Sequence, residues 1–387
     1  MLLALLWIFA LPAVLAGLDS LRVGRRQLRT VEAEMTSPLP DWTPPVTLIV
    51  PVKGLEPGLA ENLRSLAEQD YPDYELIVAV HAADDPAVDV VNGKARLVVA
   101  GPGHGGTGEK IQNLLAAVAA ARPRSELLAF ADSDGVVSRD WLRGLVAPLR
   151  DPAVGAATGY RWYFPDRGGL WSMLRSVWNS TIAGSFGAGR AHFAWGGAMA
   201  VRREVFEQAR VAEFWRGAVS DDYRLTHAMR AAGLEIRFAP RAMVASEGDC
   251  TAGEFLRWAV RQMIITRVYS PGLWRIGLVA HVIYCGAMVL AAAAIAAGHA
   301  WAAVLLALVT LPGMWRGTLR VRVARLLFPE RAAWLARHRA AYFWLTLPTT
   351  WIWLYVFLAS SLTRRIEWRG NVYELVGPAE TRPRPST

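Results

Sequence analysis

The chain has 387 residues, with 42 Lys+Arg against 33 Asp+Glu, a net charge of +9. Hydrophobic residues make up 53% of it and charged residues only 19%, which excludes disorder as its main state and points to membrane segments beside a soluble domain. Two cysteines, Cys250 and Cys285, exclude a disulfide framework. The basic balance is nearly all arginine, much of it beside apolar segments, and no nucleic-acid module is visible, so a membrane partner is expected and a nucleic acid is not.

Residues 1–18 are uncharged and about long enough to cross the hydrocarbon core, so they read as an N-terminal anchor. The basic, Pro-containing linker 19–45 follows, with Arg22, Arg25, Arg26 and Arg29. By the positive-inside rule the next domain is cytoplasmic, in a bacterial inner or plasma membrane.

Residues 46–270 alternate between short apolar runs and helical patterns. The runs 46–52, 75–80, 95–100 and 126–132 predict strands. Leu59, Leu63 and Leu66 predict a helix, and so does the stretch around 109–121. That alternation is the signature of an α/β, Rossmann-like, mainly parallel sheet, which binds ligands beyond the carboxyl ends of its strands. The polar residues there are Lys53, Asp84–Asp85 and Asp132–Asp134. The glycine-rich run 101–108 lacks phosphate-loop spacing and reads as a loop entering a helix, with Lys110 and Asn113 available to a nucleotide. Asp132 and Asp134 close an apolar strand at i and i+2, where they can share a divalent cation with substrate phosphates. Ser220, Asp221, Asp222 and Tyr223 open a helix whose acids either complement its dipole or offer a general base. In 254–269, Arg257 and Arg261 share one helix face, as do Trp258 and Gln262.

Beyond the soluble domain, 271–315 reads as a transmembrane hairpin and 316–339 as a basic interfacial segment. Residues 340–362 read as a transmembrane or re-entrant segment and 363–387 as a cytoplasmic tail; Pro312 and Pro348 are the breakpoints at which one of the C-terminal segments could turn back.

The stretches P-V-K-G-L-E-P-G-L-A-E-N-L (51–63), D-Y-P-D-Y-E-L (70–76) and D-D-P-A-V-D-V (84–90) resemble the ceramide glucosyltransferase-like, membrane-bound, family-2-type inverting glycosyltransferases of GT-A fold. The resemblance continues through K-I-Q-N-L (110–114), A-D-S-D-G (131–135), S-D-D-Y (220–223) and I-E-W-R-G-N-V-Y-E-L (366–375). It implies transfer of a hexose from UDP-glucose, UDP-galactose or UDP-N-acetylglucosamine to a lipid acceptor such as ceramide. The family's first aspartate falls on Asp84 or Asp85, its D-x-D on Asp132 and Asp134 with Mg²⁺ or Mn²⁺, and its catalytic base on Asp222, with Asp221 as neighbour. The sequence departs from the family's (Q/R)-x-x-R-W motif, which can be laid on it in two registers, with Gln262 in place of the Trp in the second. One places R-W on Arg257–Trp258 with Glu254 in the Gln/Arg position. The preferred one runs from Trp258 to Gln262, keeping Arg261 as a diphosphate clamp. A polysaccharide synthase and an inactive membrane scaffold are the competing readings; the acidic set at three element ends speaks against the scaffold.

Overall fold

Beta-branched and leucine-rich runs that bury both faces become the parallel strands of a central sheet, and the long apolar stretches become helices. A computed structural model describes residues 1–91, 93, 95–102, 106–187 and 193–385. The expected loop 101–108 thus falls in part, at 103–105, outside the described residues. In chain order come α1 (Leu2–Thr36), β1 (Val46–Pro51), α2 (Leu59–Ala67), β2 (Tyr74–Val80), β3 (Arg96–Val99), α3 (Glu109–Ala120) and β4 (Leu127–Ala131). Next are α4 (Trp141–Val146), β5 (Val154–Thr158), β6 (Arg161–Phe164), α5 (Leu170–Ala183), β7 (Ala198–Arg202), α6 (Arg203–Gln208), α7 (Val211–Trp215) and α8 (Asp221–Ala231). The chain ends with β8 (Glu235–Phe238), β9 (Val244–Glu247), α9 (Ala252–Tyr269), α10 (Pro271–Ala296), α11 (Ala302–Leu327), α12 (Ala332–Trp344), α13 (Thr346–Ser361), β10 (Arg365–Trp368), β11 (Asn371–Gly377) and β12 (Glu380–Arg384).

These elements form two units. The sheet unit comprises Met35–Phe164, Gly189–Glu247 and Arg364–Thr387. Its seven-stranded sheet has the order β3-β2-β1-β4-β7-β5-β8. β1 to β4 pair in parallel, and β7 runs antiparallel between β4 and β5. Val46, Leu48 and Val50 of β1 pack with Leu59, Leu63 and Leu66 of α2 and with Trp141 and Leu145 of α4. Register then places the site. Pro51 pairs with Ala79 and Ile49 with Phe130, so the chain leaves β1, β2 and β4 at one edge. The antiparallel pairing of Ala131 with Ala198 sets the start of β7 beside the end of β4. The mainly parallel α/β sheet expected from the sequence is the one observed. The C-terminal stretch read as a tail is a three-stranded sheet, β10-β11-β12, within this unit.

The helical unit comprises Met1–Glu34, Pro165–Ala188 and Gly248–Thr363. Leu6, Ala10 and Ala13 of α1 pack with Ala287, Ala291 and Ala294 of α10 and with Leu305 and Val309 of α11. Trp178 of α5 stacks on Trp353 of α13 with centroids 4.0 Å apart. Among the described residues α1, α10 and α11 are long and apolar enough to cross a membrane. Pro329–Trp344 and Thr346–Ser361 make a further candidate only as a pair bent by 63°. The chain is an integral membrane protein.

The helices differ from the sequence segments in two places. α1 runs on through the arginines of the linker to Thr36. α11 passes Pro312 without a break and carries the first arginines of the expected interfacial segment, with Arg316 buried. The break falls instead between α12 and α13 at Leu345.

Candidate active site

β4 is apolar throughout, so the first residues beyond it emerge together at the sheet edge. Asp132 stands there between two cations. Its Oδ1 accepts from Lys110 Nζ at 2.9 Å, and its Oδ2 from Arg161 Nη2 at 2.8 Å. Asp134 accepts from the same guanidinium with both oxygens, Oδ1 from Nη2 and Oδ2 from Nη1, each at 2.9 Å. Lys110, on the first turn of α3, also lies 3.2 Å from Asp221 Oδ1. The result is a row of alternating charge, Asp221–Lys110–Asp132–Arg161–Asp134. Asn62 Nδ2 donates to the Ser133 carbonyl at 2.9 Å and Ser133 Oγ to Glu56 at 2.7 Å, pinning the loop between the two carboxylates.

The electrostatics follow from this row. Burial opposes the charges of Lys110, Asp132, Arg161 and Asp221. Even so, Asp132 and Asp221 hold the Lys110 ammonium above its ordinary range. Burial likewise works against the Asp132 carboxylate, but Lys110 and Arg161 keep it below its usual value. Asp221, 2% exposed, has among the described residues Lys110 as its one cation partner and an Oδ2 with no hydrogen bond. Burial pushes its carboxyl up to about 6.

Asp222 differs from its neighbour because successive helix residues point about 100° apart. It is half-exposed. Its Oδ1 accepts from the Tyr223 N–H at 2.7 Å and from the Ser220 hydroxyl, and its Oδ2 from the Gly196 N–H at 3.3 Å. Ser220 Oγ also accepts from the Tyr223 N–H, capping α8. A side chain at Gly196 would meet Asp221 Oδ2 at 2.5 Å and Lys110 Nζ at 3.0 Å, and one at Gly197 would meet Asp132 Oδ2 at 2.7 Å. Only glycine lets the entry to β7 lie this close to the carboxylates.

The β1 edge is tied down separately. Lys53 Nζ donates to Glu109 Oε2 at 2.9 Å. Arg369, between β10 and β11, donates to the Lys53 carbonyl at 3.0 Å and to Glu56, and Asn371 donates to Glu109 at 2.9 Å. Asp85 accepts from the Gly54 N–H at 2.9 Å and caps the turn after β2 through the Ala87 N–H, whereas Asp84 is exposed. Asn113 is buried one turn beyond Lys110, and its Oδ1 makes no hydrogen bond among the described residues.

The remaining expected residues lie on α9, in the helical unit. Trp258 meets Trp178 edge-on at 5.2 Å, and Phe255, Ala259 and Met263 turn into the same core. Glu254 completes a capping box with Thr251, so its carboxylate serves its own helix start. Arg257 is exposed, and Arg261 and Gln262 are half-buried.

The profile of glycosyl transferase family 21 matches residues 5–379. The chain belongs to that family. It is 32% identical over 90 residues to a ceramide glucosyltransferase of Komagataella phaffii, covering 20% of this chain and 18% of that protein. It is 28% identical over 277 residues to an N-acetylglucosaminyltransferase of Bradyrhizobium diazoefficiens, covering 66% of this chain and 52% of that protein. The matches thus span about half the length of these curated relatives or less. A mannosyltransferase from Pyrobaculum calidifontis, solved with GDP-Man and Mn²⁺, superposes with a TM-score of 0.51 at 20% identity over 85% of this chain and 99% of that one. The family member described here therefore has the GT-A fold.

Within this family frame the sheet unit brings together Lys110, Asp132, Asp134, Asp221 and Asp222. Sequence reasoning missed Arg161, Glu56, Glu109, Arg369 and the Gly196–Gly197 pair. The glycine pair was the one available signal, because consecutive glycines before an apolar run mark a close backbone approach. Among the described residues no group of three or more His, Cys, Asp or Glu could hold a metal by itself. Asp132 and Asp134 do converge on a single guanidinium, and two carboxylates completed by phosphate oxygens are a donor set suited to Mg²⁺ or Mn²⁺. The residues fit such an ion.

Proposed function

We propose that the chain transfers a hexose, with inversion, from a UDP-sugar to a hydroxylated membrane lipid such as ceramide. The observation that carries the reading is Asp222, half-exposed and oriented by the Gly196 and Tyr223 N–H groups, next to carboxylates that share a cation. Family membership, the short match to a ceramide glucosyltransferase and the membrane-length helices support it.

Asp222 Oδ2 accepts one backbone bond and keeps a lone pair for the acceptor hydroxyl. It takes that proton as the new glycosidic bond forms and the bond from the anomeric carbon to the diphosphate breaks, through a transition state of oxocarbenium character. Asp221 is the weaker candidate, being buried against Lys110. Asp132 and Asp134 would hold a Mg²⁺ or Mn²⁺, which would supply positive charge for the departing diphosphate. Lys53, Asp84, Asp85, Lys110 and Asn113 are assigned to the nucleotide sugar. Trp258, Arg261 and Gln262 are assigned to the diphosphate and acceptor, with Arg257 as a secondary candidate. The arginines after the first apolar segment assign the sheet unit to the cytoplasmic side, where nucleotide sugars are available.

The test is mass spectrometry of lipid products from purified protein in nanodiscs, given ceramide and each of UDP-glucose, UDP-galactose and UDP-N-acetylglucosamine in turn. A glycolipid whose anomeric configuration is opposite to that of the donor is expected. A product that is only polymeric glycan overturns the acceptor, and no product from any donor overturns the reading. EDTA should abolish transfer and Mg²⁺ or Mn²⁺ restore it; full turnover in chelator removes the ion from the mechanism.

A further inference from the structure

Arg161 belongs to no motif that assigned a role in the sequence, yet it holds the centre of the acidic row. Its Nη1 and Nη2 reach three carboxylate oxygens at 2.8–2.9 Å, one from Asp132 and both from Asp134. The guanidinium carbon lies 4.7 Å from the centroid of the Trp195 ring and 5.7 Å from that of Tyr163, so the planar group sits in an aromatic slot. Its backbone is pinned at the start of β6, which pairs with β9. The other oxygen of Asp132 is already taken by Lys110.

A guanidinium that bridges two carboxylates occupies the place those carboxylates would offer a shared divalent ion. Two cations are not readily held by the same oxygens at close range, because their mutual repulsion is strongest where solvent is scarce. Phosphate oxygens, in turn, match the forked geometry of arginine.

We propose that Arg161 is the resident counter-cation of Asp132 and Asp134, surrendering them to the divalent ion and passing to the donor's diphosphate when both bind. This inference rests on the metal-dependent reading above. It makes Arg161 a positioning residue that couples two ligands. Without donor, the ion must displace a bound guanidinium and binds weakly. With donor, the displaced guanidinium has a new anion. The coupling is reciprocal, so the ion raises donor affinity by the same factor. Nothing in this exchange changes covalent bonds.

The experiment is Mn²⁺ titration of the full-length protein in detergent, followed by the EPR signal of free Mn²⁺, without nucleotide and then with saturating UDP. Arg161→Gln should bind Mn²⁺ at least tenfold more tightly than wild type without nucleotide, and UDP should tighten its Mn²⁺ binding by a smaller factor than in wild type. Arg161→Lys keeps the charge against loss of folding but not the fork. Its affinity without nucleotide should lie between the other two. A merely structural arginine would give the reverse, since its loss would loosen the carboxylates and weaken Mn²⁺ binding. Equal or weaker Mn²⁺ binding in folded Arg161→Gln or Arg161→Lys overturns the proposal. Asp132→Asn separates the two failures. If it loses the Mn²⁺ that wild type binds with UDP while the arginine variants show no tightening, only the inference falls. If wild type binds no Mn²⁺ with UDP, the metal reading falls with it.

Discussion

Arg161 and Arg316 are both nearly removed from solvent, at 9% and 5% exposure, but the two units compensate them in different ways. In the sheet unit Arg161 faces three carboxylate oxygens. In the helical unit the Nη2 of Arg316 donates to the side-chain carbonyl of Gln27 at 2.9 Å and to the main-chain carbonyl of Gly184 at 2.8 Å, and its Nη1 has no hydrogen-bond partner among the described residues. Gln27 also donates to the carbonyls of Ala183 and Phe186, so the pair caps the C-terminus of α5, where the helix dipole favours a cation. Gly24 of α1 leaves room for the guanidinium; a side chain there would collide with it. A cation paired with full negative charges can be traded for another cation. A cation held by carbonyl dipoles in a helix bundle completes the packing and has nothing to be exchanged for.

That contrast can be broken most sharply through turnover. Asp222→Asn should lower kcat by about 10²–10⁴-fold, the usual worth of a general base, with UDP affinity retained in isothermal titration. If Asp222→Asn kept normal turnover while Asp221→Asn was inactive, the base would belong one residue earlier.

The next effect is on stability. Asp132→Ala leaves Lys110 and Arg161 with one partner fewer each and should cost about 3–5 kcal/mol, read as a lowered Tm in detergent. An unchanged Tm would mean that the row is not electrostatically linked. Arg316→Met removes a charged cap and should cost about 2 kcal/mol while leaving Mn²⁺ affinity as in wild type. A changed Mn²⁺ affinity there would erase the distinction between the two arginines.

The smallest effect sharpens the picture of Asp221. Its carboxyl is raised from 3.8 to about 6 by burial, so the folded chain binds its proton more tightly than the unfolded chain does. The stability it contributes is present at low pH and lost as pH rises through about 6. The Tm of Asp221→Asn minus that of wild type should therefore increase between about pH 4 and about pH 7. A flat difference would show that Lys110 fully compensates the charge.

The strands of the sheet were legible because apolar runs buried on both faces have one common use, and Asp132 and Asp134 because acids directly follow such a run. Arg161 was not legible. Its partners lie 27 and 29 residues away, and they meet only because the chain returns to the edge where β4 ends. Arg316 was misplaced for a related reason: an arginine-rich stretch suggests a membrane surface, but α11 continues unbroken, so its first arginines follow the helix into the bundle. The carboxyl-terminal stretch looked like a tail because short strands joined by tight turns carry little periodic signal, although Arg369 and Asn371 hold the edge of β1 and the start of α3.

The same C-terminal sheet makes the sheet unit a closed circuit. The chain leaves that unit after Glu247 and re-enters it at Arg364, where Arg369 closes onto the Lys53 carbonyl and Glu56. A chain cut short before Arg364 would lose more than three strands, because the clasp over the end of β1 would go with them.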